Sequence, residues 1–315
     1  AAGGLSDTYW PMLQDLVRSI RSEFPDVVFA LSTLITEERR QEIEAEGCVV
    51  FEEPSDAIRV IAALRALADF RQSDGHKAVS SEAAAKAPVA EDIPMGHLNE
   101  HEAMAVLKRW GIPVVATRMA SSATQAEMIA SDLKVPLAVK VLSADILHKS
   151  DFGGVRLHVT TPQDARLAFE QVVANAREAF PQARIEGALM APMVSGGIEC
   201  ILGARCDPLF GPMVMFGLGG TLVELLKDVS FRVAPFDRTV AMQMIRQIRG
   251  FALLEGMRGQ AASDIDALAD ALVALSNFAF HMRDSLDSVE VNPFLVRAKG
   301  EGAMALDAVL VGRTR

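Results

Sequence analysis

Between Arg184 and Gly220 the chain is a succession of apolar runs separated by very short turns: RIEGALMAPMV, Gly196-Gly197, IECILGARC, the turn DPLFG, and PMVMFGLGG. Turns this short join antiparallel neighbours, because a parallel crossover needs a dozen residues or more. FRVAPF adds a further strand, and VEVNPFLVRAKGEGAMALDAVLVG reads as two strands joined by a polar turn. Helical patterns flank these runs at 162–180, 239–254 and 263–283. Helices set beside antiparallel strands imply α+β construction. In the 239–254 pattern Met242, Met244, Ile245 and Ile248 share a face and read as core.

The opening residues follow a different rule. Residues 9–72 predict helix 10–22, strand 27–32, helix 36–46, strand 48–52 and helix 55–70, with Thr36 and Ser55 as N-caps and Gly47 as a stop. Strands alternating with helices imply a parallel α/β layer. Two strands are too few for one, since parallel sheets normally have several strands and both faces covered. The segment therefore reads as the tail of a larger domain whose other strands are supplied elsewhere. Residues 73–94, rich in Ala, Ser, Lys and Glu with no apolar period, read as a linker that carries a solvated His76.

Beyond the linker, Asn99 and Glu102 form a capping-box pattern for a helix that stops at Gly111. Strand, helix and strand follow, and the last, VPLAVKVL, presents Lys140. The chain then carries His148, Lys149 and Asp151 through a loop that turns on Gly153-Gly154 into the alternating strand VRLHVTT, where His158 reads as a surface or half-buried residue rather than a chemical one. This is either a surface loop or a phosphate-handling one. A loop of about a dozen residues is longer than a hairpin needs, and the bare N–H groups of its glycines can approach an anion beside a lysine and an imidazole. Gly217–Gly220, running into TLVELLKD, is a second Gly-rich turn, weak evidence for phosphate binding by itself.

Near the end, Glu290 and Asn292 are two apart on one strand and share a face, with Asp307 on the returning strand opposite. Hard oxygen donors converging from a hairpin suit Mg²⁺, and carboxylates among neighbours as apolar as Val289, Val291, Leu306 and Val309 need partners. A net charge of −10 with 6% aromatics argues against a nucleic-acid surface. Cys48, Cys200 and Cys206 lack metal or disulfide spacing and read as buried thiols of a reducing compartment. The most apolar helix is interrupted by Asp266, Asp270 and Asn277, so no membrane span is expected, and AAGGLSDTYW does not read as a signal peptide. His281, near a helix end, is a dipole partner rather than a catalyst.

Taken together, KVLSADILHKSDFGGV, GGIECILGARCDPLFGPMVMFGLGGTLVELLKDVSFRVAPF and SVEVNPF resemble the ATP-grasp domain of the NDP-forming (ADP-forming) acyl-CoA synthetases, a family related to succinyl-CoA synthetase. The resemblance covers residues 95–312, and the motifs stand in family order. Residues 9–72 also look like the end of the flavodoxin-like CoA-ligase subdomain found in fused members. The implied fold is α/β and α+β: an ATP-grasp fold preceded by a partial flavodoxin-like parallel α/β segment. The implied boundaries are 1–72 for that partial subdomain, 73–94 for the linker and 95–315 for the ATP-grasp nucleotide-binding domain.

The implied activity is acid + CoA + ATP ⇌ acyl-CoA + ADP + phosphate, through an acyl phosphate and a phosphohistidine, with ATP or ADP and Mg²⁺ as cofactors. Carried over by resemblance, Lys140 contacts the nucleotide phosphates beside Gly153 and Gly154. Met190, Ala191, Pro192, Met193 and Val194 form the hinge whose backbone reads adenine, and Glu199 lies near the ribose. Glu290, Asn292 and Asp307 hold the metal, with Glu290 also catalytic, and His148 is the second phosphohistidine of the ADP-forming group. Glu224 and Asp228 line the same cleft, and Asp151 orients the His148 ring or caps the loop. The implied partners are CoA and a carboxylic acid or acyl-CoA, through a CoA-binding domain or subunit, in a cytoplasmic oligomer with no nucleic acid or membrane. One departure stands out: none of His76, His97 and His101 has the context of the family's first phosphohistidine. Two other readings stay open, a nucleotide-sensing domain and an ATP-grasp ligase joining a carboxylate to an amine. The second of these needs no phosphohistidine.

Overall fold

The computed structural model describes residues 9–72, 93–133, 136–220, 228–256 and 261–314. Two compact units divide the chain, Ala1–Ala78 and Val79–Arg315.

The first unit comprises α1 (Trp10–Glu23), β1 (Phe29–Ser32), α2 (Glu37–Ala45), β2 (Cys48–Phe51) and α3 (Pro54–Gln72). Thr36 caps α2 by accepting from the Arg39 N–H, and Gly47 takes φ +84° just beyond its end. Ser55 is not a cap: α3 begins at Pro54, whose fixed φ and missing N–H suit the first turn. β1 and β2 pair in parallel, from Phe29 opposite Cys48 to Ser32 opposite Phe51. The core is small, with Trp10, Val17, Ile43, Cys48 and Val50 at its centre. Met12, Val49, Ile58 and Ile61 stay exposed.

The second unit runs β3 (Gly96–His97), α4 (Glu100–Arg109), β4 (Arg118–Ala120), α5 (Ala123–Asp132), β5 (Leu137–Leu142), a 3-10 turn (Lys149–Phe152), β6 (Val155–Val159), α6 (Pro162–Ala179) and β7 (Gly187–Pro192). It continues with β8 (Ile198–Asp207), β9 (Gly211–Leu218), β10 (Val229–Val233), α7 (Arg238–Gln247), α8 (Phe251–Leu254), α9 (Ile265–His281), β11 (Leu286–Val296), β12 (Ala303–Ala305) and β13 (Ala308–Gly312). Two antiparallel sheets result. A small one has the order β4-β7-β5-β6, and a large one the order β10-β9-β8-β11-β13-β3 with β12 paired to β11.

In the small sheet Leu137, Val139 and Val141 of β5 pack on Phe169, Val172 and Ala176 of α6. Side chains alternate along a strand, so Lys140 is sent to the other face. The large sheet buries Leu202, Phe216 and Phe294 with Met244 of α7 and Leu272 and Phe278 of α9.

Two further expectations are corrected. The 239–254 helix is two helices, because Gly250 fits against Leu218, where a Cβ would come within 2.3 Å, and the Asp228 carboxylate accepts the N–H groups of Arg249 and Gly250 at 2.8 and 2.7 Å. The final segment is three strands rather than two, and Asp307 falls between β12 and β13 instead of on a strand. Glu224 and the stretch after Gly220, like the greater part of the linker, lie outside the described residues.

Candidate nucleotide and phosphoryl-transfer site

Lys140 is where the two sheets meet. Its backbone pairs with Val155 and Leu189 in the small sheet, while its ammonium donates to Asp307 Oδ2 at 2.8 Å and to the Leu306 carbonyl at 3.1 Å, both beside β13 of the large one. A third acceptor, Glu100 Oε1, lies at 2.7 Å. Burial pushes the Lys140 ammonium towards losing its proton, but the Glu100 and Asp307 carboxylates together outweigh it and hold the pKa above the ordinary lysine value. A cation kept charged on a strand face between two sheets is what phosphate oxygens require.

Glu100 was not singled out by the sequence. It opens α4 directly after the capping box that was expected: Asn99 Oδ1 accepts the Glu102 N–H at 2.9 Å, and Glu102 Oε2 accepts the Asn99 N–H at 3.2 Å. Its side chain is 2% exposed, and its second oxygen accepts from Lys149 at 2.6 Å. No local pattern announces these contacts, which cross 40 and 49 residues.

The loop after β5 leaves His148 exposed immediately before the 3-10 turn and buries its neighbour Lys149. The turn ends on Gly153 at φ +76°, where a Cβ would come within 2.8 Å of the Asn175 amide. A Cβ on Gly154 would come within 2.8 Å of the Lys149 carbonyl. The N–H groups of Gly153 and Gly154 donate to the Ser150 and Lys149 carbonyls at 3.3 and 2.8 Å. The pair therefore shapes the loop here instead of offering its N–H groups to an anion. Asp151 makes no hydrogen bond to the His148 ring among the described residues, so of its two readings the ring-orienting one finds no contact here.

Met190, Ala191 and Pro192 close β7, and Met193 and Val194 lead from the small sheet towards β8 of the large one. The Met193 N–H donates to the Pro136 carbonyl at 2.8 Å. Glu199 is exposed on β8, and its backbone oxygen accepts the Gly219 N–H at 2.6 Å, tying the Gly217–Gly220 turn to it. Glu290 and Asn292 are exposed on one face of β11, and the Asn292 amide donates to Glu290 Oε1 at 3.3 Å. Asp307 is not gathered with them by its side chain, which Lys140 holds, although its carbonyl accepts the Asn292 N–H at 3.3 Å. Among the described residues no three His, Cys, Asp or Glu side chains form a metal-ligating group. Glu290 and Asn292 offer hard oxygens of the kind Mg²⁺ takes, an ion that needs few protein ligands and completes its shell with phosphate and water, while Asp307 joins them only by leaving Lys140.

The His281 ring donates its Nδ1–H to the Asn277 carbonyl at 2.8 Å and packs on Trp110, a structural role. His158 is exposed, with φ +56°. All three cysteines are free and buried. Asp228 is occupied at the break between α7 and α8, which accounts for its carboxylate without the cleft.

A model of the ATP-grasp domain matches residues 90–311. The β subunit of the ADP-forming acetate–CoA ligase II of Pyrococcus furiosus is 40% identical over 212 residues, 67% of this chain and 90% of the subunit. The chain belongs to the ADP-forming acyl-CoA ligase family. Its larger unit is that family's ATP-grasp domain. The ADP-forming acetate–CoA ligase I of Archaeoglobus fulgidus is 36% identical over 279 residues, 87% of this chain but only 40% of the relative. Among solved structures, the acetyl-coenzyme A synthetase 1 of Ca. Korarchaeum cryptofilum matches with a TM-score of 0.60 and 31% identity, covering 75% of this chain and 97% of that one. It is described as a complex with coenzyme A and Mg-AMPPCP, its phosphohistidine segment pointing towards the nucleotide-binding site. Among the described residues no helix is long and apolar enough to cross a membrane.

Proposed function

We propose that this chain is the nucleotide-binding half of an ADP-forming acyl-CoA synthetase, passing a phosphoryl group between ATP and His148 in the overall reaction acid + CoA + ATP ⇌ acyl-CoA + ADP + phosphate. The observation that carries this reading is one strand with its loop. β5 holds Lys140 against Asp307 beside β13 of the large sheet, and the loop that follows presents an exposed imidazole.

In the forward half-step the lone pair of a neutral ring nitrogen of His148 attacks the γ-phosphorus in line. An N–P bond forms as the bond to the β,γ-bridging oxygen breaks, and the electron pair leaves with ADP. Lys140 neutralises charge on the phosphoryl oxygens during the transfer. Met190–Val194 would supply backbone groups to the adenine, and Glu199 would meet the ribose. Glu290, Asn292 and Asp307 would hold Mg²⁺, which when bound offsets phosphate charge, with Glu290 also catalytic. Gly153 and Gly154 give the loop its shape. ATP or ADP is the nucleotide, and free buried thiols suit a cytoplasmic setting.

The smaller unit fits the end of a flavodoxin-like CoA-ligase subdomain, residues 1–72, joined through 73–94 to the ATP-grasp domain of 95–315. Its two-stranded parallel sheet with Val49 and Ile58 exposed supports a layer completed by other strands. CoA and the acid or acyl-CoA would be bound by a domain or subunit outside these residues, in an oligomer.

Incubation with γ-labelled ATP and Mg²⁺ should leave acid-labile label on the protein that disappears in His148→Ala. Bound nucleotide with no label on His148, even with the CoA-binding part present, would point to a sensing domain instead.

A further inference from the structure

Glu100 divides its two oxygens between two ammonium groups, Oε1 to Lys140 at 2.7 Å and Oε2 to Lys149 at 2.6 Å. These lysines bracket the loop that carries His148: Lys140 on β5 at its base, Lys149 adjoining the histidine. Lys140 has further acceptors in Asp307 and the Leu306 carbonyl, whereas Glu100 is the one side-chain partner of Lys149 among the described residues.

We propose that Glu100 is a positioning residue shared between the nucleotide lysine and the His148 loop, so that nucleotide binding and docking of the loop reinforce each other. This rests on the nucleotide site proposed above. The four side chains balance, two carboxylates against two ammonium groups. Phosphates arriving at Lys140 draw its ammonium towards them, and the two carboxylates respond differently. Asp307 is 29% exposed and can turn to water or a cation. Glu100, 2% exposed, has no such recourse, and a buried carboxylate without a partner is expensive. Lys149 then becomes its main counter-ion, and withdrawing the loop becomes harder. The converse also holds. With Lys149 gone, Glu100 keeps Lys140 for itself and competes with the phosphates. Linkage makes the two effects equal in size.

The test uses the full chain with Mg-ADP as probe, reading affinity by calorimetry and loop docking by hydrogen exchange over residues 143–154. In the wild type Mg-ADP should slow exchange in that segment. Lys149→Met should weaken Mg-ADP binding by about 5–50-fold, and Lys149→Arg should restore it. Glu100→Gln frees Lys140 from a buried negative charge, so it should bind Mg-ADP at least as tightly as the wild type while its loop no longer responds. A merely structural ion pair would weaken binding in both variants. Lys149→Met binding within about twofold of the wild type, or Glu100→Gln weakened beside it, would overturn the proposal while leaving the nucleotide site standing. A wild type that does not bind Mg-ADP would overturn both. If Glu100→Gln fails to fold by circular dichroism, the Lys149→Met and Lys149→Arg pair decides alone.

Discussion

Asp264 offers a stability measurement whose size and pH dependence both follow from its contacts. It caps α9 by accepting the Ala267 N–H on Oδ1 at 3.1 Å, and its Oδ2 accepts the Gly300 and Gly302 N–H groups at 2.9 and 3.0 Å. One carboxylate thus fastens a helix start to the turn between β11 and β12. Replacing it with Ala removes the cap, worth about 1 kcal/mol. It also strips two turn N–H groups of a charged acceptor. Gly300 is exposed and Gly302 partly so, so water replaces much of that loss, leaving about 0.5–1 kcal/mol each. Asp264→Ala should therefore cost about 2–3 kcal/mol, and Asp264→Asn, which keeps an oxygen for the cap but turns an NH₂ group towards two donors, about 1–2 kcal/mol. Burial opposes the charge of Asp264, yet the Ala267, Gly302 and Gly300 N–H groups outweigh it and lower its pKa from the ordinary 3.8. With the folded pKa depressed, the contribution is present above 3.8 and is lost as pH falls through the folded value. Urea unfolding should be followed by Trp110 fluorescence in a Trp10→Phe background, because the Trp110 ring lies 5.6 and 5.4 Å from Phe278 and His281 of α9, whereas Trp10 belongs to the other unit. A difference between wild type and Asp264→Ala below about 0.5 kcal/mol at pH 7, or one that does not shrink on acidification below pH 4, would refute this account.

Three further outcomes are expected. Lys140→Met should weaken Mg-ADP binding by at least about tenfold in calorimetry and, by leaving Glu100 and Asp307 short of a counter-ion, destabilise the larger unit by about 3 kcal/mol in the same urea assay; unchanged affinity would remove Lys140 from the phosphate site. Gly154→Ala forces a Cβ to within 2.8 Å of the Lys149 carbonyl and 2.6 Å of the Phe152 ring, so labelling of His148 by ATP should fall several-fold while nucleotide affinity changes little. Burial, helped by the neighbouring Glu199 carboxylate, pushes the Cys200 thiol far up, and burial also raises Cys48 and Cys206; a thiol reagent at pH 7 should label none of them quickly in the native chain and all of them in denaturant.

What was legible in advance was local. The capping box of Asn99 and Glu102 and the shared face of Glu290 and Asn292 both follow from spacings of a few residues. The partnership of Glu100 with Lys140 and Lys149 did not, because a first-turn glutamate looks the same whether solvent or a buried lysine faces it. The break at Gly250 was hidden for a similar reason, since the obstacle to a side chain there is Leu218 on another element. Asp307 kept its expected neighbourhood, yet its side chain serves Lys140 rather than Glu290 and Asn292, a choice made by the approach of the second sheet. For the Gly153 and Gly154 pair the pattern pointed to N–H groups free to meet an anion, whereas the loop's own carbonyls take them.

The strand that first enters the large sheet and the strand that completes it are neighbours: β3 lies against β13, His97 opposite Val311 and Gly96 opposite Gly312, so closely that a Cβ on Gly312 would come within 1.9 Å of the Pro94 carbonyl. Entry and exit of the nucleotide-binding unit therefore share one doorway. A cassette wired in this way can be spliced into a longer polypeptide, or made as a separate piece, without rethreading its sheets. Evolution can then redistribute the acyl and CoA chemistry among chains while the phosphoryl-handling part keeps its internal geometry.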